Sequence, residues 1–122
     1  MTMLSAVPSL PVLDIAAAVQ FYTSKLPFQC RYQETGMAIL IGDQVELHLW
    51  AANQPDVPGG EPHLAGRASC SIRVDDAADL HERCEQAGIR HPNGPLHRTD
   101  WGTLEFTALD HDGNALRFYQ NV

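Results

Sequence analysis

The sequence is short of cysteines, of cations and of long apolar runs, and each shortage removes a class of protein. Its three cysteines, Cys30, Cys70 and Cys84, are odd in number and lack any paired spacing. That excludes a disulfide framework and reads as reduced, buried thiols in a cytoplasmic protein. Eight Lys and Arg stand against 15 Asp and Glu, a formal net charge of -7. Nucleic acid is a poor partner for such a chain, because neutralising phosphates needs clustered cations. A cationic ligand is compatible with the charge. No run approaches the roughly 18 apolar residues of a membrane span. The N-terminus has no charged stretch leading into an apolar one, so no secretory signal is expected. At 122 residues the chain is expected to be one domain, long enough to bury a core.

What the sequence does have is a repeat. Leu10-Pro11-Val12-Leu13-Asp14 leads into a helical stretch from Ile15 to Leu26. Ile72-Arg73-Val74-Asp75-Asp76 leads into another from Ala77 to Ala87. Val12 and Val74 are 62 residues apart, as are Asp14 and Asp76. Each half closes with a Gly-led turn and an alternating run, Gly42 to Leu49 and Gly113 to Tyr119. Two copies of one small module follow from this, arranged about a pseudo-dyad.

Within the first copy, about residues 5–50, Ser5 to Val12 reads as a strand. Pro8 and Pro11 cannot donate to a ladder, which makes it an edge strand or an arm reaching a partner chain. Asp14 caps a helix whose apolar stripe is Ile15, Val19, Tyr22 and Leu26, and Pro27 ends it. Strands follow at Gln29 to Glu34, Met37 to Ile41 and Gln44 to Trp50. Residues 51–67, with three Pro and three Gly, read as a linker. The second copy, about 68–122, repeats the order: a strand from Ala68 to Val74, then a helix capped by Asp76. Leu80, Cys84 and Ala87 form that helix's buried side, and Gly88 sits at C′. A short strand begins at Ile89, and 91–100 is an irregular loop. A hairpin then runs from Gly102 to Leu109 and from Ala115 to Gln120.

The fold class is therefore α+β: two tandem βαβββ modules, each a sheet with one helix. One helix covers only one face of each sheet, so the other face is freer. Alternation assigns Val45, Leu47, Leu49, Leu116 and Phe118 to the helix side. It leaves Glu46, His48, Trp50, Ser69, Ser71, Thr103, Glu105, Arg117 and Tyr119 facing away, a polar and aromatic set suited to a wet or ligand-filled surface.

At this point the chain resembles the vicinal oxygen chelate superfamily of glyoxalases, bleomycin resistance proteins and dioxygenases. It is most similar to the bleomycin resistance proteins. The matching segments are Ser5-Ala6-Val7-Pro8, Asp14 to Tyr22, Trp101-Gly102-Thr103, Asp112-Gly113-Asn114 and Arg117 to Asn121. The resemblance implies curved mixed sheets that enclose a groove, and a homodimer with ligand grooves at the subunit interface and an N-terminal arm exchanged between subunits. It also implies sequestration of a large cationic glycopeptide antibiotic without chemistry. Trp101 takes from it a stacking role on the ligand.

The superfamily's enzymes hold a divalent metal on the first and last strands of each module. Aligned by the Val-x-Asp signal and by the Gly turns, those positions here are Val7, Ser69, Glu46 and Arg117. Only Glu46 is an ordinary ligand, and a cation beside Arg117 is repelled. No cofactor is expected on this reading. The alternative is a metal-dependent lyase or thiol transferase of the same superfamily, with Glu46 and His48 as the remaining ligand pair. Glu46 and Arg117 are expected to form an ion pair across the groove floor, either structural or ligand-binding. The other histidines fall in loops or on a polar helix face. Trp50 and Trp101 either stack on a ligand or pack in a dimer interface. Glu46, Glu105 and Asp100 either draw a cationic ligand or are simply solvated.

Overall fold

The computed structural model describes residues 1–54 and 61–122; the part of the expected linker at 55–60 lies outside them. Two modules of matching topology are present. The first comprises β1 (Ser9–Val12), α1 (Ile15–Lys25), β2 (Gln29–Gln33), β3 (Met37–Gly42) and β4 (Val45–Ala51). The second comprises β5 (Ser69–Arg73), α2 (Ala77–Gln86), β6 (His97–Arg98), β7 (Thr103–Leu109) and β8 (Ala115–Asn121). The sheets run β1-β4-β3-β2 and β5-β8-β7-β6. In each, the first strand lies parallel to the last and the other pairs are antiparallel. A 3-10 turn, Pro62–Leu64, lies in the described part of the linker.

Both helices start for the same local reason. Asp14 Oδ1 accepts the Ala17 amide at 2.8 Å, and Asp76 Oδ1 accepts that of Asp79 at 3.0 Å. Each carboxylate satisfies a backbone donor that the first turn leaves without a partner. Helix α1 buries Ile15, Ala18, Val19, Phe21 and Tyr22 against β2, β3 and β4. Helix α2 ends in a Schellman arrangement: Gly88 has φ +71°, and the Ile89 amide donates to the Cys84 carbonyl at 3.0 Å. The two apolar sides merge into one core, with Leu10, Leu49 and Phe28 from the first module and Ile72, Phe106 and Phe118 from the second.

Several expectations need correction. The first strand starts at Ser9, and residues 1–7 form an exposed arm. Strand β1 is at the sheet edge, as its prolines require. The loop 91–100 is partly structured. Ile89 and His91 bond to Leu109 and Thr107, and His97–Arg98 pairs with Leu104 and Glu105, so one edge strand is interrupted by a looped-out segment. Cys30 is exposed, Cys70 half-buried and Cys84 buried, so the three thiols share freedom from disulfides but not burial. His81 does not lie on a purely polar face, since its ring meets Phe106 edge-on at 5.2 Å between centroids.

The two modules are tied by the turn between β7 and β8. Asp110, buried at its centre, accepts the Tyr22 phenol at 2.7 Å on Oδ2 and the Asn114 side-chain amide at 2.8 Å. Its Oδ1 accepts the backbone amides of Asp112 and Asn114. Asn114 then reaches outward. Its Nδ2 donates to the Pro11 carbonyl at 2.8 Å, and its Oδ1 accepts the Ala68 amide at 3.0 Å. The Gly66 amide also donates to Pro11, so the open edge of β1 is covered by linker and turn. Gly66 has φ +77°, and a Cβ there would lie 1.8 Å from the Asp112 carbonyl oxygen.

Burial, and next the charge of Asp110, push the Tyr22 phenol far above its ordinary value of 10.0. The folded protein therefore holds this proton where the unfolded chain releases it. The contribution of Tyr22 to stability is intact below pH 10 and lost as pH rises beyond it. Tyr22→Phe is expected to lower stability at neutral pH by about 1–3 kcal/mol, because Asp110 loses its phenol donor. The same variant loses less stability than wild type between neutral pH and the alkaline range above 10; urea unfolding at several pH values checks both. Gly66→Ala is expected to be more damaging than a typical surface change, by more than about 1 kcal/mol.

Candidate functional site

The sheet faces turned away from the helices carry the chemistry. In the first module, register places His48 beside Ile39, Trp50 beside Met37 and Glu46 beside Ile41, all on that face. Tyr32, opposite Ile39, extends it and is 48 % exposed. Three of these are aliphatic side chains on a face not covered by the helix, so this wall is largely apolar and aromatic. Its polar end is a tight cluster. His48 Nε2 lies 2.6 Å from Glu46 Oε2, and Arg31 Nη2 lies 3.4 Å from Glu46 Oε1.

The second module's free face is polar. One row runs His97, Glu105, Tyr119, Arg73 and another Thr107, Arg117, Ser71. Glu105 is not solvated: its side chain is only 8 % exposed. The Thr103 hydroxyl donates to Glu105 Oε2 at 2.8 Å, and Thr103 is itself 2.6 Å from the Thr99 hydroxyl. Arg117 Nη1 lies 3.4 Å from Glu105 Oε1, while its Nε donates to the Ser71 hydroxyl at 3.0 Å and its guanidinium lies 5.5 Å from the Tyr119 ring centre.

The expected pairing of Glu46 with Arg117 fails. Arg117 takes Glu105 as its carboxylate and Glu46 takes Arg31 and His48. The reason is register. Ser9 lies opposite His48 and Ser71 opposite Arg117, so His48 rather than Glu46 is the counterpart of Arg117. The β3–β4 turn joins Gly42 to Val45, whereas the β7–β8 turn is longer and joins Leu109 to Ala115. Aligning the halves on their turn glycines therefore shifted the count by two. Ser69 lies opposite Ala115 and is exposed; Ser71 is the serine that contacts Arg117. Trp50 is half-buried on the first module's free face. Trp101 is 70 % exposed in the turn before β7, and Asp100 beside it is also exposed. Among the described residues, no hydrogen bond or ion pair joins the first module's set to the second's. Thr99, Thr103, Ser71 and Arg31 join the site unannounced. The alternation showed Thr103 and Ser71 facing away, but no pattern marked them as partners of Glu105 and Arg117.

A hollow of about 580 Å³ opens at the seam between modules, among Phe28, Val45, Ile72, Leu80 and Phe118. Asp43, Arg73 and Asp75 also line it, whereas Glu46, His48, Glu105 and Arg117 do not.

Comparison with known proteins agrees with the two-module architecture. Residues 4–118 match the family described as the Glyoxalase/Bleomycin resistance protein/Dioxygenase superfamily. A bleomycin resistance protein of Geobacillus stearothermophilus is 35 % identical over 130 residues, covering 98 % of each chain. The crystal structure of a bleomycin resistance determinant encoded on the transposon Tn5 superposes with a TM-score of 0.75 at 30 % identity, covering 98 % of each chain. The bleomycin-binding protein of bleomycin-producing Streptomyces verticillus, complexed with copper(II)-bleomycin, gives 0.77 at 25 % identity, covering 97 % of this chain and 96 % of that one. The chain belongs to this superfamily.

The metal of the superfamily's enzymes does not fit the residues at the corresponding places. In the observed register one set is Ser9, His48, Ser71 and Arg117; the neighbouring set is Val7, Glu46, Ser69 and Ala115. Each offers a single ordinary ligand, and the first contains a permanent cation. Glu46 and His48 do approach one another, but Arg31 shares the carboxylate. Among the described residues, no three His, Cys, Asp or Glu side chains converge in a metal-binding group. Zinc, nickel or manganese is expected to leave the unfolding temperature unchanged. A site filled at 100 times its Kd would add about 2.7 kcal/mol, so a saturable rise with any of the three would contradict this.

Proposed function

We propose that the chain is a non-catalytic binding protein that sequesters a large cationic antibiotic of the bleomycin type. The observation that carries this reading is its similarity, over nearly the whole chain, to bleomycin resistance proteins; the sparse donor set at the superfamily's metal positions supports it. The relatives include a bleomycin-binding protein whose structure contains bleomycin. The charge of -7 favours a cationic ligand. The ligand's flat rings stack on Trp50 and Trp101, and Glu46, His48, Glu105, Arg117, Tyr119 and Ser69 line its polar surroundings.

The proposed protein is a homodimer, with the grooves formed where the free faces of two subunits meet. Support comes from the first module's uncovered Met37, Ile39 and Ile41 and from the N-terminal arm. Met1, Met3 and Leu4 are 107 %, 86 % and 90 % exposed, an apolar arm lying off its own subunit. Such an arm gains by exchange onto a partner. The proposed site of action is the cytoplasm, where free thiols like these three persist. Among the described residues, no helix is long and apolar enough to cross a membrane.

Calorimetric titration with bleomycin tests the reading. Saturable binding with one ligand per subunit, at micromolar affinity or tighter, is the expected result; no heat would overturn the antibiotic assignment. Trp101→Ala is expected to weaken binding about tenfold, in keeping with an aromatic contact near 1.4 kcal/mol. Sedimentation should show a dimer, and removal of residues 1–7 should shift it toward monomer at micromolar concentration.

A further inference from the structure

Glu105 is a buried carboxylate held by one short hydrogen bond and one long ion pair. A carboxylate has about four acceptor positions. Here Oε2 takes one short bond from Thr103, while Oε1 has only the long 3.4 Å contact to Arg117. A side chain 8 % exposed has little water to make up the difference. Arg117 is bound loosely to it by comparison. Its side chain is 44 % exposed, and its shorter bond is to Ser71. If Glu105 were taken by another cation, Arg117 would keep Ser71, the face of Tyr119 and water.

We propose that Glu105 is the anchor of a subsite for an organic cation, an ammonium, amidinium or guanidinium group, and that Arg117 is its displaceable cover in the free protein. Arg117 neutralises the buried carboxylate until the ligand's cation takes its place, so the exchange never leaves Glu105 without a counter-charge. The subsite lies on the second module's free face. Cross-strand neighbours His97 and Tyr119 flank Glu105, and the Tyr119 ring offers a face to a cation. The Thr99–Thr103 hydroxyl pair holds the carboxylate from the other side. Arg117 thus acts as an intramolecular competitor and sets specificity: a neutral ligand cannot displace it, and a cationic one can.

The inference deepens the binding role proposed above and rests on it only for the choice of antibiotic. The test uses two probes, bleomycin and the small cation benzamidinium, titrated calorimetrically into wild type, Glu105→Gln, Arg117→Met and Arg117→Gln. Glu105→Gln is expected to weaken benzamidinium at least tenfold. Arg117→Met is expected to tighten it severalfold, because the competitor is gone. Arg117→Gln repeats the test if Arg117→Met fails to fold. Bleomycin should follow the same order. Weaker benzamidinium binding in the Arg117 variants would make Arg117 a direct contact of the cation rather than its competitor and overturn the proposal, as would no change in Glu105→Gln. If wild type ignores bleomycin while benzamidinium follows the predicted order, the antibiotic assignment fails and the subsite stands. If bleomycin binds all four proteins alike, the assignment stands and the subsite falls.

Discussion

The buried carboxylate of Asp110 is the contact on which the arrangement of the two modules depends. Through Tyr22 it holds α1, through Asn114 it holds β1 and the linker, and through its own turn it holds β7 and β8. A charge taken out of water is tolerable only when its acceptor positions are filled. Four donors fill these, and they come from both modules. Removing one partner costs more than one bond, because the remaining charge stays buried. The apolar core holds the modules together without specifying their angle. The directional bonds at Asp110 specify it.

Glu105 is the useful contrast. It too is buried, but its donors are fewer and one is long. These two buried carboxylates thus serve opposite ends. Asp110 is saturated within the fold and faces the seam. Glu105 is held by one short bond and one long ion pair, on a face turned away from the core. The repeat has kept one scaffold twice and diverged on its free faces. One face carries Met37, Ile39, Ile41 and Trp50, the other threonines, a glutamate and an arginine. Two subunits that set the apolar face of one against the polar face of the other would make a groove for a ligand with both characters.

Much of this was legible in the sequence because it depends on local rules. Asp14 and Asp76 announce helix starts whatever surrounds them, and Leu47, Leu49, Leu116 and Phe118 alternate as half-buried strands must. The 62-residue spacing from Val12 to Val74 carried the two-module fold. What failed depends on distance in space. The unequal turns, Gly42 to Val45 against Leu109 to Ala115, moved the register by two and produced a pairing of Glu46 with Arg117 that the sheets do not allow. Tyr22 reads as one more apolar residue on α1, and only its partner 88 positions away reveals it as a hydrogen-bond donor. Glu105 reads as an exposed strand residue; its burial comes from neighbours on β6 and β8, which alternation along a single strand does not encode.

In the proposed function the ligand is held by stacking and charge, and no bond in it changes. Mass spectrometry of the antibiotic after prolonged incubation with stoichiometric protein, with and without added divalent metal, tests this most directly. The account predicts that bleomycin is retained with the protein through gel filtration and recovered on denaturation at unchanged mass. Recovery of a modified antibiotic, dependent on protein and accelerated by metal, would contradict it.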